Sequence, residues 1–282
     1  MKRILKWLGF VVVGFAVLAG IAFAWIFFSS ERALHRQYTA VDDRPLIVPT
    51  DAAGIAAGEH IARLAGCMHC HGAKLNGALV DDIPHLARLV APNISVKLPG
   101  YSDAQLATVL RKGVKPDGSS VLFMPSEMYR HLDDQDLGRL IGYLRTIPAT
   151  PEGVQEKSEV RIIGRALIAA GNFKPSALAI ETLPPAEKSF DVSDPVSHGR
   201  YLTMSSCTEC HGQNLEGFEP IQAPPLAVVK GYSSEAFAKL LHEGIPPGDH
   251  DLRLMGPTAR ARFSNFTAEE VAAVYAYLQS RS

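Results

Sequence analysis

The pattern of apolar positions begins with one long uninterrupted run near the N-terminus. Lys2, Arg3 and Lys6 precede an uncharged stretch whose apolar centre is residues 8–28. A helix of that length covers about 31 Å at 1.5 Å per residue, which matches the roughly 30 Å hydrocarbon core of a bilayer. Because basic residues stay on the cytoplasmic side, residues 1–30 are predicted to be a single-pass transmembrane anchor with the rest of the chain exported.

A cleaved signal peptide is the alternative interpretation of this run. Signal peptides have an apolar region of about 7–15 residues and a cleavage site flanked by small residues. Here the run is longer, and bulky residues stand at 25–28, where small ones are required. The sequence therefore favours an uncleaved anchor, followed by a connector over residues 31–51.

Helical periodicity then occurs in two similar copies. An apolar stripe with the spacing i, i+3, i+4, i+7 closes each copy, formed by Leu137, Leu140, Ile141 and Leu144 in the first and by Val271, Val274, Tyr275 and Leu278 in the second. Asp133 is the predicted N-cap of the first closing helix, and Thr267 with Glu270 forms a capping box in the second. A Gly-Tyr-Ser segment at 100–102 and again at 231–233 predicts an earlier helix capped by its serine.

These patterns predict an all-α protein with two repeated domains. The first covers residues 52–148 and the second residues 194–282, separated by a linker over residues 149–193. The many prolines of the linker favour an extended connection. Its apolar segment, 160–168, is expected to pack, and the linker is expected to cross between the two domains and hold them in contact.

Composition narrows the class of function. The chain has 28 Lys and Arg against 29 Asp and Glu, so no positive excess could neutralise phosphates and nucleic-acid binding is excluded. Four cysteines in 282 residues are too few for a disulfide scaffold.

All four cysteines lie in two copies of the pattern C-x-x-C-H, namely Cys67, Cys70 and His71, and Cys207, Cys210 and His211. This pattern is typical of covalent c-type haem attachment. Two thiols at this spacing can each form a thioether with one porphyrin vinyl group, and the adjacent histidine can reach the iron. The sequence therefore predicts two covalently bound haems c.

The four cysteines allow two other interpretations, a zinc site and a pair of redox motifs. A zinc site needs four ligands close together, whereas these pairs are 140 residues apart in the sequence. Two C-x-x-C redox motifs would not explain why a histidine follows each second cysteine. Both are weaker than haem attachment.

The two copies resemble class I c-type cytochromes, in which a helix is followed by CxxCH, a loop and a closing C-terminal helix. More narrowly, the segments 91–95, 124–125 and 199–202 look like those of the haem subunits of membrane-bound bacterial sugar and alcohol dehydrogenases. The resemblance implies that the segments 92–94 and 224–226 form the loop in which a proline carbonyl contacts the proximal histidine, and an ordinary loop proline remains the alternative.

The second axial ligand of each iron follows from the repeat. The candidates were Met124, Met128, His85 and His131 in the first domain, and Met204, Met255, His242 and His250 in the second. Met124 lies 11 residues after Gly113, and Met255 lies 11 residues after Gly244. A thioether also suits haem iron. We therefore expect the ligand pairs His71 with Met124 and His211 with Met255, with Met128 as the main competitor of Met124.

The other histidines are expected to be surface residues rather than ligands. They are His35, His60, His69 and His198, and His250 is expected to be solvated in its loop.

The predicted function is one-electron transfer on the periplasmic face of the bacterial inner membrane. An iron with two protein ligands has no vacant position for a substrate, so we expect a relay and not an enzyme. Its partners would be a periplasmic dehydrogenase on one side and a quinone, another cytochrome or an oxidase on the other. The alternatives are a dihaem peroxidase, a sulfur-compound oxidoreductase or, less favoured, a redox or gas sensor.

Overall fold

A long N-terminal helix opens the structure. The computed structural model describes residues 2–186, 190–248 and 251–281, and these are mostly helical, as predicted. Helix α1 (Lys2–Leu34) contains the whole predicted apolar run. Among the described residues it is the one helix that is long and apolar enough to cross a membrane, and its apolar window is unburied in the structure. A signal sequence near the N-terminus can also form a long apolar helix, so the helix agrees with either interpretation of this run.

We keep the names domain 1 and domain 2 for residues 52–148 and 194–282. The helices of domain 1 are α2 (Ala52–Leu64), α3 (Cys67–His71), α4 (Asp103–Lys112), α5 (Ser126–Tyr129) and α6 (Asp134–Thr146), with a 3₁₀ turn at Leu98–Gly100. The connector runs along this domain and is fixed by a buried ion pair, in which Arg111 lies 3.4 Å from Asp42. Both side chains are almost fully buried.

A small antiparallel sheet, which the sequence analysis did not predict, joins domain 1 to the linker. Its strands, in spatial order, are β1 (Ala78–Ile83), β2 (Ala87–Ala91) and β3 (Glu159–Val160). Ala87 of β2 pairs with Val160 of β3, so the linker turns back onto domain 1. Each strand has six residues or fewer, which is too short for an alternating pattern to stand out in a helical sequence.

The linker is folded, and this corrects the expectation of an extended connection between the domains. It contains α7 (Ile162–Ala169), which packs on α1, and α8 (Ser176–Glu181), which packs on α4 and α5. Pro175 stands at the N-cap of α8, where a proline does not disturb a helix. The apolar segment therefore packs, as predicted, but mainly on α1 and domain 1.

Domain 2 repeats the helical order of domain 1. Its helices are α9 (Pro195–Ser206), α10 (Thr208–His211), α11 (Ser234–Glu243), α12 (Met255–Ala261) and α13 (Ala268–Ser280), with 3₁₀ turns at Glu219–Ile221, Leu226–Gly231 and Phe263–Asn265.

The predicted helix caps are present in both domains. The side chain of each N-cap accepts a hydrogen bond from the backbone N–H of the third helical residue, and these N-caps are Ser102, Asp133, Ser233 and Thr267. Gly113 and Gly244 follow α4 and α11 in the left-handed conformation, with φ of 66° and 68°. The two closing stripes lie in the cores, where only Tyr275 is partly exposed.

Each domain closes where its first helix crosses its last helix at a glycine. A Cβ atom at Gly58 on α2 would lie 2.0 Å from the carbonyl oxygen of Arg139 on α6. A Cβ atom at Gly199 on α9 would lie 1.8 Å from the carbonyl oxygen of Ala273 on α13. Only a residue without a side chain allows the helices to approach this closely. The position of the first helix in each domain is therefore fixed.

Replacing Gly199 by alanine should separate α9 from α13. We expect the free energy of unfolding to fall by about 3 kcal/mol, at the upper end of the usual overpacking effect, because the added methyl group would overlap backbone rather than a movable side chain. Denaturant unfolding followed by circular dichroism measures the change. Gly231→Ala is the matched control, since nothing lies within 4 Å of a Cβ there. Equal stability of the two variants would contradict the close crossing.

Candidate functional site

In domain 1 the CxxCH motif forms a helix of its own. Helix α2 ends at Leu64, and Gly66, with φ of 78°, turns the chain so that Cys67 starts α3. The ring Nδ1 of His71 lies 2.9 Å from the carbonyl oxygen of Pro92. A carbonyl only accepts, so Nδ1 carries the proton and Nε2 is left with a lone pair that can bind a metal.

Domain 2 builds the same arrangement from α9 and α10. Nδ1 of His211 lies 2.8 Å from the carbonyl oxygen of Pro224. The predicted proline contacts are thus both present. Burial lowers the pKa of both histidines and keeps the imidazoles neutral, the form that can ligate iron.

A glycine in each domain brings the proline loop next to the histidine. Gly77 has a φ of 90°, and a Cβ there would lie 2.8 Å from the Asn93 backbone nitrogen. Gly217 has a φ of 91°, and a Cβ there would lie 2.5 Å from the Ala223 carbonyl oxygen. Gly77 and Gly217 each lie six residues after the motif histidine, and this close approach explains why both positions are glycine.

The four thiols are free and mostly shielded from water. Burial raises the pKa of Cys67 to about 12 and that of Cys210 to about 11. Before haem attachment, such thiols are protonated at neutral pH, which disfavours the alternative of two C-x-x-C redox motifs. In the part of the chain that the structure describes, no group of three or more His, Cys, Asp or Glu could hold a metal ion, so the zinc alternative has no ligand set there.

The two predicted methionine ligands occupy corresponding places. Met124 packs against the apolar core that contains Cys67, and Met255 packs against the core of domain 2 together with Cys207. Both are partly buried. The backbone carbonyl of Met124 accepts a hydrogen bond of 2.7 Å from the Ser176 hydroxyl, which ties this residue to α8.

Several competing candidates have other partners. Met128 is fully buried, with its sulfur 4.0 Å from a guanidinium nitrogen of Arg262. His131 lies 3.0 Å from Gln213, and His242 lies 3.1 Å from the Phe266 carbonyl oxygen. Of the remaining candidates, His85 is exposed at the β1–β2 turn and Met204 lies on α9. His250 falls outside the described residues.

Arg262, which the sequence analysis did not single out, lies between the two motifs. It is 4% exposed. Its Nε donates a 3.0 Å hydrogen bond to the carbonyl oxygen of Leu64, three residues before Cys67. Its Nη1 lies 2.6 Å from the Glu209 carboxylate, inside the second motif. The two attachment segments therefore meet at one guanidinium, and no local pattern marks this residue in the sequence.

Two of the four histidines that were expected at the surface are partly buried. His35 and His69 are exposed, whereas His60 and His198 are partly buried. Nε2 of His60 lies 2.8 Å from Glu270 of the opposite domain. The domains also meet through the Tyr201 hydroxyl, which donates to Asp136 at 2.7 Å. In the sequence, the residues of this interface have the pattern of ordinary polar helix faces, so the pattern does not indicate an interface.

The residues of both sites fit a covalently attached haem. Each domain offers two unpaired thiols, a neutral histidine with Nδ1 already bonded, and a thioether in the same apolar core. This donor set matches the chemistry of Met/His c-type haem.

Comparison with known proteins agrees with this chemistry. The sequence matches the cytochrome c family over residues 55–148 and 196–282, more than half of the chain, so the protein belongs to the cytochrome c family. Each matched region contains one complete CxxCH motif. The chain carries two covalently bound haems c.

Three relatives give the context of the family match. The chain is 31% identical over 179 residues to a "Diheme cytochrome c-type" protein of Cereibacter sphaeroides, covering 55% of each chain. It is 27% identical over 244 residues to the "Fructose dehydrogenase cytochrome subunit" of Gluconobacter japonicus, covering 79% of this chain and 49% of the relative. It is 28% identical over 175 residues to the "Alcohol dehydrogenase (quinone), cytochrome c subunit" of Gluconobacter oxydans, covering 57% and 35%. The matches therefore span about half of the relatives or less.

Replacing Arg262 by methionine should loosen the domain interface. The Glu209 carboxylate would lose its partner and the Leu64 carbonyl its donor, so we expect a loss of about 3 kcal/mol in the free energy of unfolding. Denaturant titration checks this value. Arg260→Met, two residues earlier and exposed, is the matched control. Equal effects of the two changes would contradict the bridging role.

The His60–Glu270 pair predicts a pH dependence of stability. The hydrogen bond to Glu270 raises the pKa of His60 above 6.5. Its stabilisation is therefore complete below pH 6.5 and disappears as the pH rises through the raised pKa. Thermal unfolding of the wild type and of His60→Gln should converge as the pH increases. Glu270→Gln, which can keep the capping box, should behave like His60→Gln. Parallel pH profiles of wild type and variants would contradict the pairing.

Proposed function

We propose that this chain is an electron relay with two haem domains in the periplasm and one anchor, α1, in the bacterial inner membrane. The observation that carries the proposal is the pair of equivalent histidine sites, whose attachment segments meet at Arg262 through Leu64 and Glu209. Two redox groups attached to adjoining segments suit electron transfer through the molecule. When bound, haem c supplies one-electron exchange between ferric and ferrous iron.

The proposed roles of the residues follow the sequence analysis. The thiols of Cys67 and Cys70 hold one haem, and those of Cys207 and Cys210 hold the other. His71 and His211 are the proximal ligands, each oriented by its proline carbonyl. The distal ligands are Met124 and Met255. We propose that the two haem domains cover residues 52–148 and 194–282, the boundaries predicted from the sequence.

The buried surroundings of Met128 support the choice of Met124. The Met128 sulfur is in contact with Arg262, which comes from domain 2 and is itself held by Leu64 and Glu209. A methionine in this position belongs to the domain interface. Both methionines pack in the core that contains Cys67, but Met124 is partly exposed whereas the Met128 sulfur contacts Arg262, so we assign the ligand to Met124.

The proposed electron donor is a periplasmic dehydrogenase, and the acceptor is a quinone, another cytochrome or an oxidase. Two of the relatives carry names of dehydrogenase cytochrome subunits, one for fructose and one for alcohol with quinone. The anchor supports this assignment, because it would keep the haem domains beside membrane-bound partners. Lys2, Arg3 and Lys6 place its N-terminus in the cytoplasm.

The distal ligands are tested by removing one thioether at a time. Met124→Leu and Met255→Leu preserve volume, and each should abolish about half of the methionine–iron charge-transfer absorption, since one of two haems loses its ligand. The affected iron should then bind carbon monoxide, and its reduction potential should fall. Met128→Leu is the control and should leave the absorption, carbon monoxide binding and potentials unchanged.

The relay itself is tested on the purified wild type. Both ferric haems should be low-spin, and the ferrous protein should be inert to peroxide on the timescale of electron transfer. A high-spin iron that reacts rapidly with peroxide would contradict the relay and favour the dihaem peroxidase alternative.

For the distal ligands, loss of the charge-transfer absorption in Met128→Leu instead of Met124→Leu would show that residue 128 is the first distal ligand.

A further inference from the structure

Helix α7 has an unusual composition for a helix at a protein surface. Seven of its eight residues are apolar, and the exception is Arg165. A helix that is apolar on all sides belongs in a protein core or in lipid. Yet the side chains of Ile162 and Ile163 are 46% and 49% exposed, and Phe173, shortly after the helix, is 37% exposed.

One side of α7 is covered by domain 1. A Cβ at Gly164 would lie 2.4 Å from the carbonyl oxygen of Leu86, so α7 passes close to the backbone of the β1–β2 turn. The backbone N–H of Ile163 donates to the carbonyl oxygen of His85 at 2.9 Å. Ile168 is also buried. The helix is thus held against the β1–β2 turn of domain 1.

A second side of α7 is held by the anchor helix. Arg165 forms a 2.7 Å ion pair with Glu31 and donates a 3.1 Å hydrogen bond to the Ser30 hydroxyl. The same guanidinium lies 5.0 Å from the centre of the Phe27 ring. The one charged side chain of α7 is therefore satisfied by α1, and the sides that remain carry only apolar residues.

The contacts with α1 also give the height of α7 relative to a bilayer. The apolar run of α1 ends at Phe28, and Glu31 lies only three residues further, a rise of about 5 Å. Helices that lie in the membrane interface are buried by roughly 5–10 Å at the boundary of headgroups and acyl chains. Helix α7 therefore lies at the depth, relative to the bilayer spanned by α1, at which apolar side chains contact the acyl chains.

We propose that α7 is an interfacial helix, whose exposed apolar surface, formed by Ile162, Ile163 and Phe173, inserts into the periplasmic leaflet. The inference rests on the proposed function, because it requires that α1 spans the membrane. It extends that function by giving domain 1 a fixed orientation on the bilayer. The β1–β2 turn contacts α7 directly, so the whole domain is held at the lipid surface.

The test uses spin labels on the full-length chain in nanodiscs. The native cysteines are consumed by haem attachment, so an introduced cysteine is the single reactive thiol. Labels at Ile163→Cys and, outside the helix, at Phe173→Cys should collide with oxygen several-fold more often, relative to a water-soluble nickel chelate, than a label at Val228→Cys. Val228 is exposed on domain 2 and is the aqueous control.

A label at Val17→Cys, inside the anchor run, separates the two proposals. Lipid exposure at positions 17, 163 and 173 supports the inference. Aqueous labels at both 163 and 173 together with a lipid-exposed label at 17 would overturn the interfacial helix and leave the anchor intact. An aqueous label at 17, or a mature protein that lacks residues 1–30, would overturn the anchor and the inference together.

Discussion

The close crossing of the first and last helices is the constraint on which each domain depends. Gly58 and Gly199 allow α2 to touch α6 and α9 to touch α13 at backbone distance. Two residues separate the end of the first helix from the motif in domain 1 and none separates them in domain 2, so the crossing fixes where the motif begins. The histidine is then oriented by a loop carbonyl, which approaches because a glycine stands opposite it.

Arg262 extends this constraint from one domain to two. Its guanidinium binds the end of α2 on one side and Glu209 of the second motif on the other. Because the arginine is buried, its interactions are weakly screened by solvent and hold the two attachment segments in a defined relation. His60 with Glu270 and Tyr201 with Asp136 widen the same interface. Two similar domains thereby become one unit.

Local features of this fold could be predicted from the sequence, whereas features formed between distant segments could not. The N-caps at Ser102 and Thr267 depend on residues three positions apart, and the histidine sites depend on the spacing of one motif. Arg262 and His60 take their roles from partners that are distant in sequence, with Glu270 lying 210 residues after His60. The prolines of the linker predict an extended segment, whereas its helices α7 and α8 are stabilised by packing on α1 and domain 1, which are distant in sequence.

Because the two attachment segments meet at Arg262, we infer that the two haems lie next to each other in a single electron-transfer unit. Circular dichroism in the Soret region tests it most directly, because the transitions of two neighbouring haems couple. We expect a couplet with bands of opposite sign in the full-length protein, in both the oxidised and the reduced state. A spectrum equal to the sum of two independent haem bands, in a protein that carries both haems, would contradict the claim.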